Sequence, residues 1–189
     1  MKKRAVVFLI VLCIVVGIAI AVFPKKKANS HDYPVGANLK EISVAADYIV
    51  EGKFTEYLGS WNMARDLSDS SKESKDEYVE GKRFNFEVSI VYKGDLTRQN
   101  IVVNQTYQND FNGKLEIDEN YVEVDLDHNY IVFLYYDPQF DSYYGCIEPW
   151  LFKVDDGKIY MQSHLTEIFD NYEDVFSEMS YAEFTGQLD

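Results

Sequence analysis

The stretch Asn129–Tyr136 (NYIVFLYY) is a nearly continuous run of apolar and aromatic residues. Valine, isoleucine, phenylalanine and tyrosine favour extended structure, and a short apolar run without alternation is typical of a strand covered on both faces. Asn129 and the acidic residues just before it provide a polar boundary. We therefore predict that this stretch is a fully buried strand at the centre of a β-rich domain.

The strands around this run follow the ordinary alternating pattern. Residues 83–92 (RFNFEVSIVY) alternate between polar and apolar positions, which predicts a strand with one buried face. That face carries Phe84, Phe86, Val88 and Ile90. Residues 48–55 (YIVEGKFT) and 101–106 (IVVNQT) predict two further strands, and Gly52 within the first suggests a bulge or a close backbone approach.

Turn and loop signals separate these strands. Asp155-Asp156-Gly157-Lys158 predicts a tight hairpin, because Asp-Gly tolerates the positive φ that such turns need. Residues 115–118 and 121–124 are candidates for short edge strands. Residues 68–77 consist almost entirely of serine, aspartate, lysine and glutamate, which predicts a mobile loop.

Helical signals occur near both ends of the chain. Asn38 followed by Glu41, and Ser180 followed by Glu183, match capping boxes at helix starts. Apolar residues between 165 and 179 recur at helical spacing. The predicted fold is therefore mainly β (α+β), with a short N-terminal helix and helical cover at the C-terminus.

The N-terminal region predicts attachment to a membrane. Residues 5–23 form an unbroken apolar run flanked by basic residues, and nineteen helical residues span about 28 Å, close to the hydrocarbon thickness of a bilayer. We expect a cytoplasmic tail (1–4), an uncleaved transmembrane signal anchor (5–23), a juxtamembrane linker (24–37) and a folded domain (38–189).

Two alternatives to an uncleaved anchor remain open. Ala19-Ile20-Ala21 supplies a small-residue pattern for signal cleavage after Ala21, which would release the protein. Lipidation of Cys13 would need a small residue before it, where Leu12 stands. A short basic tail followed at once by an apolar run is typical of an export signal, so we expect a single-pass protein of the cell membrane with its C-terminal domain extracytoplasmic.

Charge and cysteine content restrict the partners and the compartment. Residues 28–189 carry twelve basic and all 32 acidic residues of the chain, and hence a net charge of about −20. Such a charge repels nucleic acids and anionic lipid headgroups. Cys146 is the only cysteine after the apolar run, so the domain contains no intramolecular disulfide and must be stabilised by core packing.

The densest ionisable group is Asp125-Leu126-Asp127-His128-Asn129. Asp125, Asp127 and the Asn129 carbonyl could supply oxygen ligands to a cation, but the spacing does not match a calcium loop, because Tyr130 occupies the sixth position. A solvated turn before the central strand is the preferred interpretation. Neither a metal nor another cofactor is predicted.

Common catalytic signatures are missing from the sequence, including nucleophile-elbow, zinc-protease and phosphate-loop motifs. Cys146 could be a nucleophile activated by His128, but its neighbours Tyr144 and Ile147 favour a buried small residue. Trp61, between Ser60 and Asn62 in a predicted loop, is a candidate recognition residue, because tryptophan is enriched in binding hot spots.

Several segments resemble a group of small exported or anchored Gram-positive proteins of unknown function. Residues 46–54 (ADYIVEGKF) are similar to their opening strand, 86–94 (FEVSIVYKG) to a following strand and turn, and 130–134 (YIVFL) to a buried strand. Residues 155–160 resemble the closing hairpin. The resemblance implies an OB-like β-barrel, as in netrin and metalloproteinase-inhibitor modules.

This chain departs from the pattern at two points. Asn129 replaces a glycine before the buried strand, and the cysteines of the inhibitor modules are missing, so no inhibitor residues carry over. We therefore expect a non-catalytic domain that binds a protein or envelope component at the membrane surface. The alternatives are an unrecognised envelope enzyme, which could be metal-dependent, and an accessory subunit of a membrane complex.

Overall fold

The computed structural model describes residues 34–111, 114–165 and 179–188. The predicted tail and anchor, and most of the linker, lie outside these residues, as does most of the predicted helical stretch 165–179. Within the described ranges, no helix has the length and apolar character needed to cross a bilayer.

The described residues are mainly β, as the sequence predicts. They form two helices, α1 (Leu39–Ala45) and α2 (Tyr181–Thr185). The strands are β1 (Tyr48–Asn62), β2 (Arg65–Asp66), β3 (Asp69–Glu73), β4 (Val79–Lys93), β5 (Asn100–Phe111), β6 (Lys114–Ile117), β7 (Asn129–Asp137), β8 (Ser142–Gly145), β9 (Leu151–Asp155) and β10 (Lys158–Met161).

Five strands close into a ring in the order β1-β4-β5-β8-β7, with β7 pairing back to β1. All pairings in the ring are antiparallel except β5 with β8. Strand β6 extends the sheet from β5, and the β9–β10 hairpin extends it from β7. The ring encloses the main apolar core.

Strand β7 is buried on both of its faces, which confirms the prediction for NYIVFLYY. Tyr130, Val132 and Leu134 belong to the core inside the ring. Phe133 points to the opposite face, because side chains alternate along a strand, and there its ring lies 5.5 Å from that of Phe152 and 6.4 Å from that of Phe184 on α2. Both faces therefore demand apolar residues.

The alternating pattern of β4 is only partly realised. Phe84 and Phe86 are buried, whereas Ile90 is 41% exposed, because β4 is fifteen residues long and only its central part faces the core. The expectation at Gly52 is confirmed. The register shifts between Glu51 and Gly52, and a Cβ atom at Gly52 would overlap the carbonyl oxygen of Glu87.

The helix starts and the closing hairpin follow the sequence signals. The Asn38 side chain accepts a hydrogen bond from the Glu41 backbone (3.0 Å), and Ser180 and Glu183 form a complete capping box. The β9–β10 turn has positive φ at Asp156 (48°) and Gly157 (72°). Local side-chain chemistry decides each of these features.

Two loop and strand predictions are wrong. Residues 121–124 form no strand; instead Tyr121 accepts a hydrogen bond from Lys82 through its hydroxyl group (2.9 Å). Residues 68–77 are not a simple loop, because they contain β3, which pairs with β2 in a small hairpin.

A buried carboxylate joins α2 to the ring. Glu51 on β1 is 6% exposed, and its Oε2 atom accepts hydrogen bonds from the hydroxyl groups of Tyr92 (2.8 Å) and Tyr181 (2.7 Å). Burial is the main cause that raises the pKa of both phenols, and the hydrogen bond of each hydroxyl group to Glu51 raises it further. We interpret this group as structural, since the two hydroxyl groups and Oε2 of Glu51 are all hydrogen-bonded to one another.

Candidate recognition surface

Trp61 lies near the end of β1, not in a loop as predicted. It pairs with Gly81 on β4. A Cβ atom at Gly81 would lie 2.8 Å from Nε1 of Trp61 and 2.6 Å from Cγ of Met63. The missing side chain at Gly81 therefore leaves the space that the indole ring occupies on the outer face of the sheet.

Asn62, the last residue of β1, makes four hydrogen bonds that hold the hairpin β2–β3 in place. Its Nδ2 atom donates to the carbonyl oxygens of Ser74 (3.2 Å) and Glu77 (3.1 Å). Its Oδ1 atom accepts from the backbone N–H groups of Ala64 and Val79, each at 3.0 Å. One amide thus satisfies backbone groups at both ends of the segment between β1 and β4, which explains why so polar a segment is ordered.

Arg65 on β2 is packed against two adjacent aromatic rings. Its guanidinium carbon lies 4.7 Å from the centroid of the Trp61 ring and 4.5 Å from that of Phe140. Its Nη2 and Nε atoms donate to the carbonyl oxygens of Asn62 (2.5 Å) and Met63 (3.1 Å). These contacts orient the guanidinium group, and cation–π geometry of this kind is favourable when the site is partly desolvated.

The loop between β7 and β8 supplies the second aromatic ring. Phe140 lies 5.1 Å from Trp61 in an edge-to-face arrangement. The neighbouring Gln139 donates from Nε2 to the carbonyl oxygen of Ser70 in the hairpin (2.5 Å). Two connections that are distant in sequence therefore meet over the same part of the sheet.

Arg83 on β4 completes this group. It pairs with Gly59 on β1 and with Asn104 on β5, and its guanidinium carbon lies 6.0 Å from the Trp61 ring. We call Trp61, Arg65, Arg83 and Phe140 the Trp61 cluster; all four residues are half-buried. The Nε1 atom of Trp61 is buried without a hydrogen-bond partner among the described residues.

The electrostatics of the Trp61 cluster differ from those of its surroundings. The four ion pairs of the described ranges are Lys72–Asp69, Arg98–Asp141, Lys114–Glu116 and Lys153–Asp125. Neither Arg65 nor Arg83 pairs with a carboxylate in that part of the chain, although the domain is strongly acidic. Two positive charges therefore converge on one aromatic surface without neutralising partners.

The predicted cation candidates lie elsewhere. Asp125 is exposed and pairs with Lys153 (2.6 Å), and this hydrogen bond lowers its pKa. Asp127 has a positive φ of 68° in the turn before β7, and Asn129 is the exposed first residue of that strand. Within the described residues, no three histidine, cysteine or acidic side chains are grouped as a metal site would require.

Cys146 and His128 are not adjacent. The backbone N–H of Cys146 donates to the carbonyl oxygen of Phe133 (3.0 Å), whereas His128 precedes β7, five residues before Phe133. Five residues of extended chain span about 16 Å. Burial raises the pKa of the Cys146 thiol to about 11, so the reactive thiolate is disfavoured at neutral pH.

A buried carboxylate that sequence reasoning missed is Glu148, which is 4% exposed. Burial raises its pKa to about 7, hydrogen bonds from Asn120 and Ser163 oppose that shift, and the Asp118 carboxylate adds to it. Its backbone also pairs with the N-terminal segment, since Gly36 N donates to Glu148 O and Glu148 N to Pro34 O, each at 2.9 Å.

Sequence reasoning named Trp61 as a candidate recognition residue but did not name Arg65, Arg83 or Phe140. A usable signal was the scarcity of arginine, since only Arg65, Arg83 and Arg98 follow the apolar run. Comparison of the chain with protein-family models, curated proteins and solved structures gives no match.

Proposed function

We propose that this protein is a membrane-anchored, extracytoplasmic binding protein that recognises a protein or envelope component through the Trp61 cluster. The observation that supports this most is that Arg65 and Arg83 lie 4.7 and 6.0 Å from the Trp61 ring and have no carboxylate partners in the described ranges. Tryptophan and arginine dominate binding hot spots, and half-buried aromatic rings supply contact area at low entropic cost.

We further propose that the strand ring is an OB-like barrel. The strand order supports this. If β1, β4, β5, β7 and β8 are numbered one to five in chain order, their order around the ring is 1-2-3-5-4, and the fourth strand pairs back to the first. In OB folds, the loops after the first and fourth strands often contribute to ligand binding, and we use this only as an analogy. Here these two connections carry Arg65 and Phe140.

The anchor is the part of the proposal that rests on sequence alone. Residues 5–23 have the length and composition of a membrane-spanning helix, and the tether would hold the Trp61 cluster near the outer membrane surface. We expect protease added to intact cells to digest residues 28–189, while untreated protein stays in the membrane fraction at full mass. A cytoplasmic protein should survive the same treatment. A mature form that begins near Val22 in the medium would contradict the anchor.

Recognition is tested by capture with tagged, full-length protein extracted from membranes in mild detergent. We expect Trp61→Ala to reduce capture of the specific partner about thirtyfold, the loss that a hot-spot residue of 2 kcal/mol would cause. Tyr160→Ala on β10 is the matched control, because Tyr160 is a partly exposed aromatic residue (38%) outside the Trp61 cluster. Equal capture by both variants would contradict the proposed surface.

A further inference from the structure

We infer that the Trp61 cluster binds a single carboxylate group that lies beside an apolar group of the ligand, with Arg83 as its main contact. This inference rests on the proposed function and specifies the chemistry of the ligand. It is carried by the unused hydrogen-bond donors of the two arginines, by the aromatic rings beside them and by the charge of the whole domain.

The guanidinium group of Arg83 has free hydrogen-bond donors among the described residues. Within this part of the chain, the guanidinium group of Arg83 neither donates a hydrogen bond nor forms an ion pair. A guanidinium group has five N–H donors in a fixed plane that matches the two oxygens of a carboxylate. A half-buried arginine without an acceptor in the protein can therefore bind an anionic group of the ligand.

Arg65 adds a second positive charge in a fixed orientation. Its Nε and Nη2 atoms are already used by two backbone carbonyl oxygens, whereas Nη1 has no acceptor among the described residues. The adjacent rings of Trp61 and Phe140 both contact it, and together with the two hydrogen bonds they fix its orientation. Such preorganisation reduces the entropy that is lost when a ligand binds.

The neighbouring rings indicate what accompanies the carboxylate. Trp61 and Phe140 are only half-buried, so part of each ring is available to an apolar group of the ligand. A carboxylate next to an aromatic or aliphatic side chain satisfies both the charged and the apolar parts of this surface.

The charge of the domain restricts the number of anionic groups on the ligand. Residues 28–189 carry about −20, which repels polymers of phosphate and anionic bilayers. A single carboxylate experiences this repulsion only once, and it gains local contacts with Arg65 and Arg83. Two sources provide such a group: the C-terminus or an acidic side chain of a peptide, and an acidic sugar of the envelope.

The test uses full-length protein in detergent micelles, labelled with 5-fluorotryptophan. The chain has two tryptophans, so the ¹⁹F spectrum reports Trp61 and Trp150 separately, and Trp150→Phe assigns them. The probes are N-acetylphenylalanine, its uncharged amide, glucuronate and inorganic phosphate. We expect N-acetylphenylalanine to shift the Trp61 resonance saturably and to leave the Trp150 resonance unchanged, while the amide has no effect.

Substitutions then test the role of Arg83. Arg83→Gln should weaken binding of N-acetylphenylalanine about tenfold or more, which corresponds to a lost charge-assisted hydrogen bond. Lys158→Gln removes the same charge from an exposed position on β10 and should leave the affinity unchanged. Urea unfolding of each variant, followed by circular dichroism, verifies that the fold is retained. If Arg83→Gln unfolds the domain, Arg83→Lys provides the same comparison, because it keeps the charge but loses the planar geometry.

Each outcome has a defined meaning. A saturable shift with glucuronate in place of N-acetylphenylalanine supports a carboxylate site and assigns it to an acidic sugar. Equal binding of phosphate, equal binding of the amide, or no shift with any probe overturns the inference. Partner capture that depends on Trp61 but not on Arg83 would retain the proposed function and reject the carboxylate.

Discussion

Replacement of Phe54 by alanine is expected to lower the free energy of unfolding by about 3–5 kcal/mol. Phe54 is completely buried at the centre of the ring, and its side chain meets three other rings edge-to-face, those of Phe84 (5.8 Å), Phe86 (4.9 Å) and Tyr130 (5.3 Å). The loss combines the transfer free energy of the ring with the cost of the cavity left behind.

The measurement is equilibrium urea unfolding of the full-length chain in mild detergent, followed by far-ultraviolet circular dichroism. Leu67→Ala is the matched control, because Leu67 is fully exposed at the tip of the β2–β3 hairpin, and it should change stability by less than about 0.5 kcal/mol. Similar losses for the two variants would show that the interior of the ring is not the main core.

The second large effect is expected from Glu148→Gln and depends on pH. The pKa of Glu148 is about 7 in the folded protein, against 4.5 for an unperturbed glutamate, mainly because the side chain is buried. Folding therefore favours the protonated form. This group contributes its full stabilisation below pH 4.5, and the contribution is lost as the pH rises through 7.

The expected size of that loss is about 3 kcal/mol between pH 4.5 and pH 8, since each pKa unit corresponds to 1.36 kcal/mol. Glutamine resembles the protonated side chain and keeps an acceptor for Asn120. The variant should therefore gain stability relative to the wild-type protein as pH rises, and should be the more stable of the two at pH 8. Urea unfolding at a series of pH values measures the difference.

The control is Glu56→Gln, which removes an exposed carboxylate from β1. It should follow the wild-type stability profile between pH 4.5 and pH 8. If Glu148→Gln also followed that profile, Glu148 would have to be ionised in the folded state without cost. That result would mean that solvent reaches the carboxylate.

The central strand shows how far a sequence pattern can lead. The run at residues 129–136 predicts burial on both faces, and the structure places the core on one side and Phe152 with Phe184 on the other. The pattern is sufficient here because every residue in the middle of the strand must be apolar. In β4 the alternation extends beyond the core, so Ile90 was predicted to be buried although it is exposed.

The polar segment that contains the β2–β3 hairpin could not be predicted from its composition. Residues 68–77 have the composition of a loop, but Asn62 satisfies backbone groups of Ala64, Ser74, Glu77 and Val79 and thereby stabilises the β2–β3 hairpin. Composition cannot predict this order, because the stabilising partner lies outside the segment and contributes through four hydrogen bonds at once.

The sequence by itself determined the β-rich class, the buried central strand, both helix starts and the Asp-Gly turn, and it singled out Trp61. Each of these depends on residues that are close together in the chain, where side-chain periodicity and capping chemistry act directly. The tertiary structure alone decided that Arg65, Arg83 and Phe140 meet at Trp61. These residues come from three separate parts of the chain, and only the pairing of β1 with β4 and the closure of the ring bring them together.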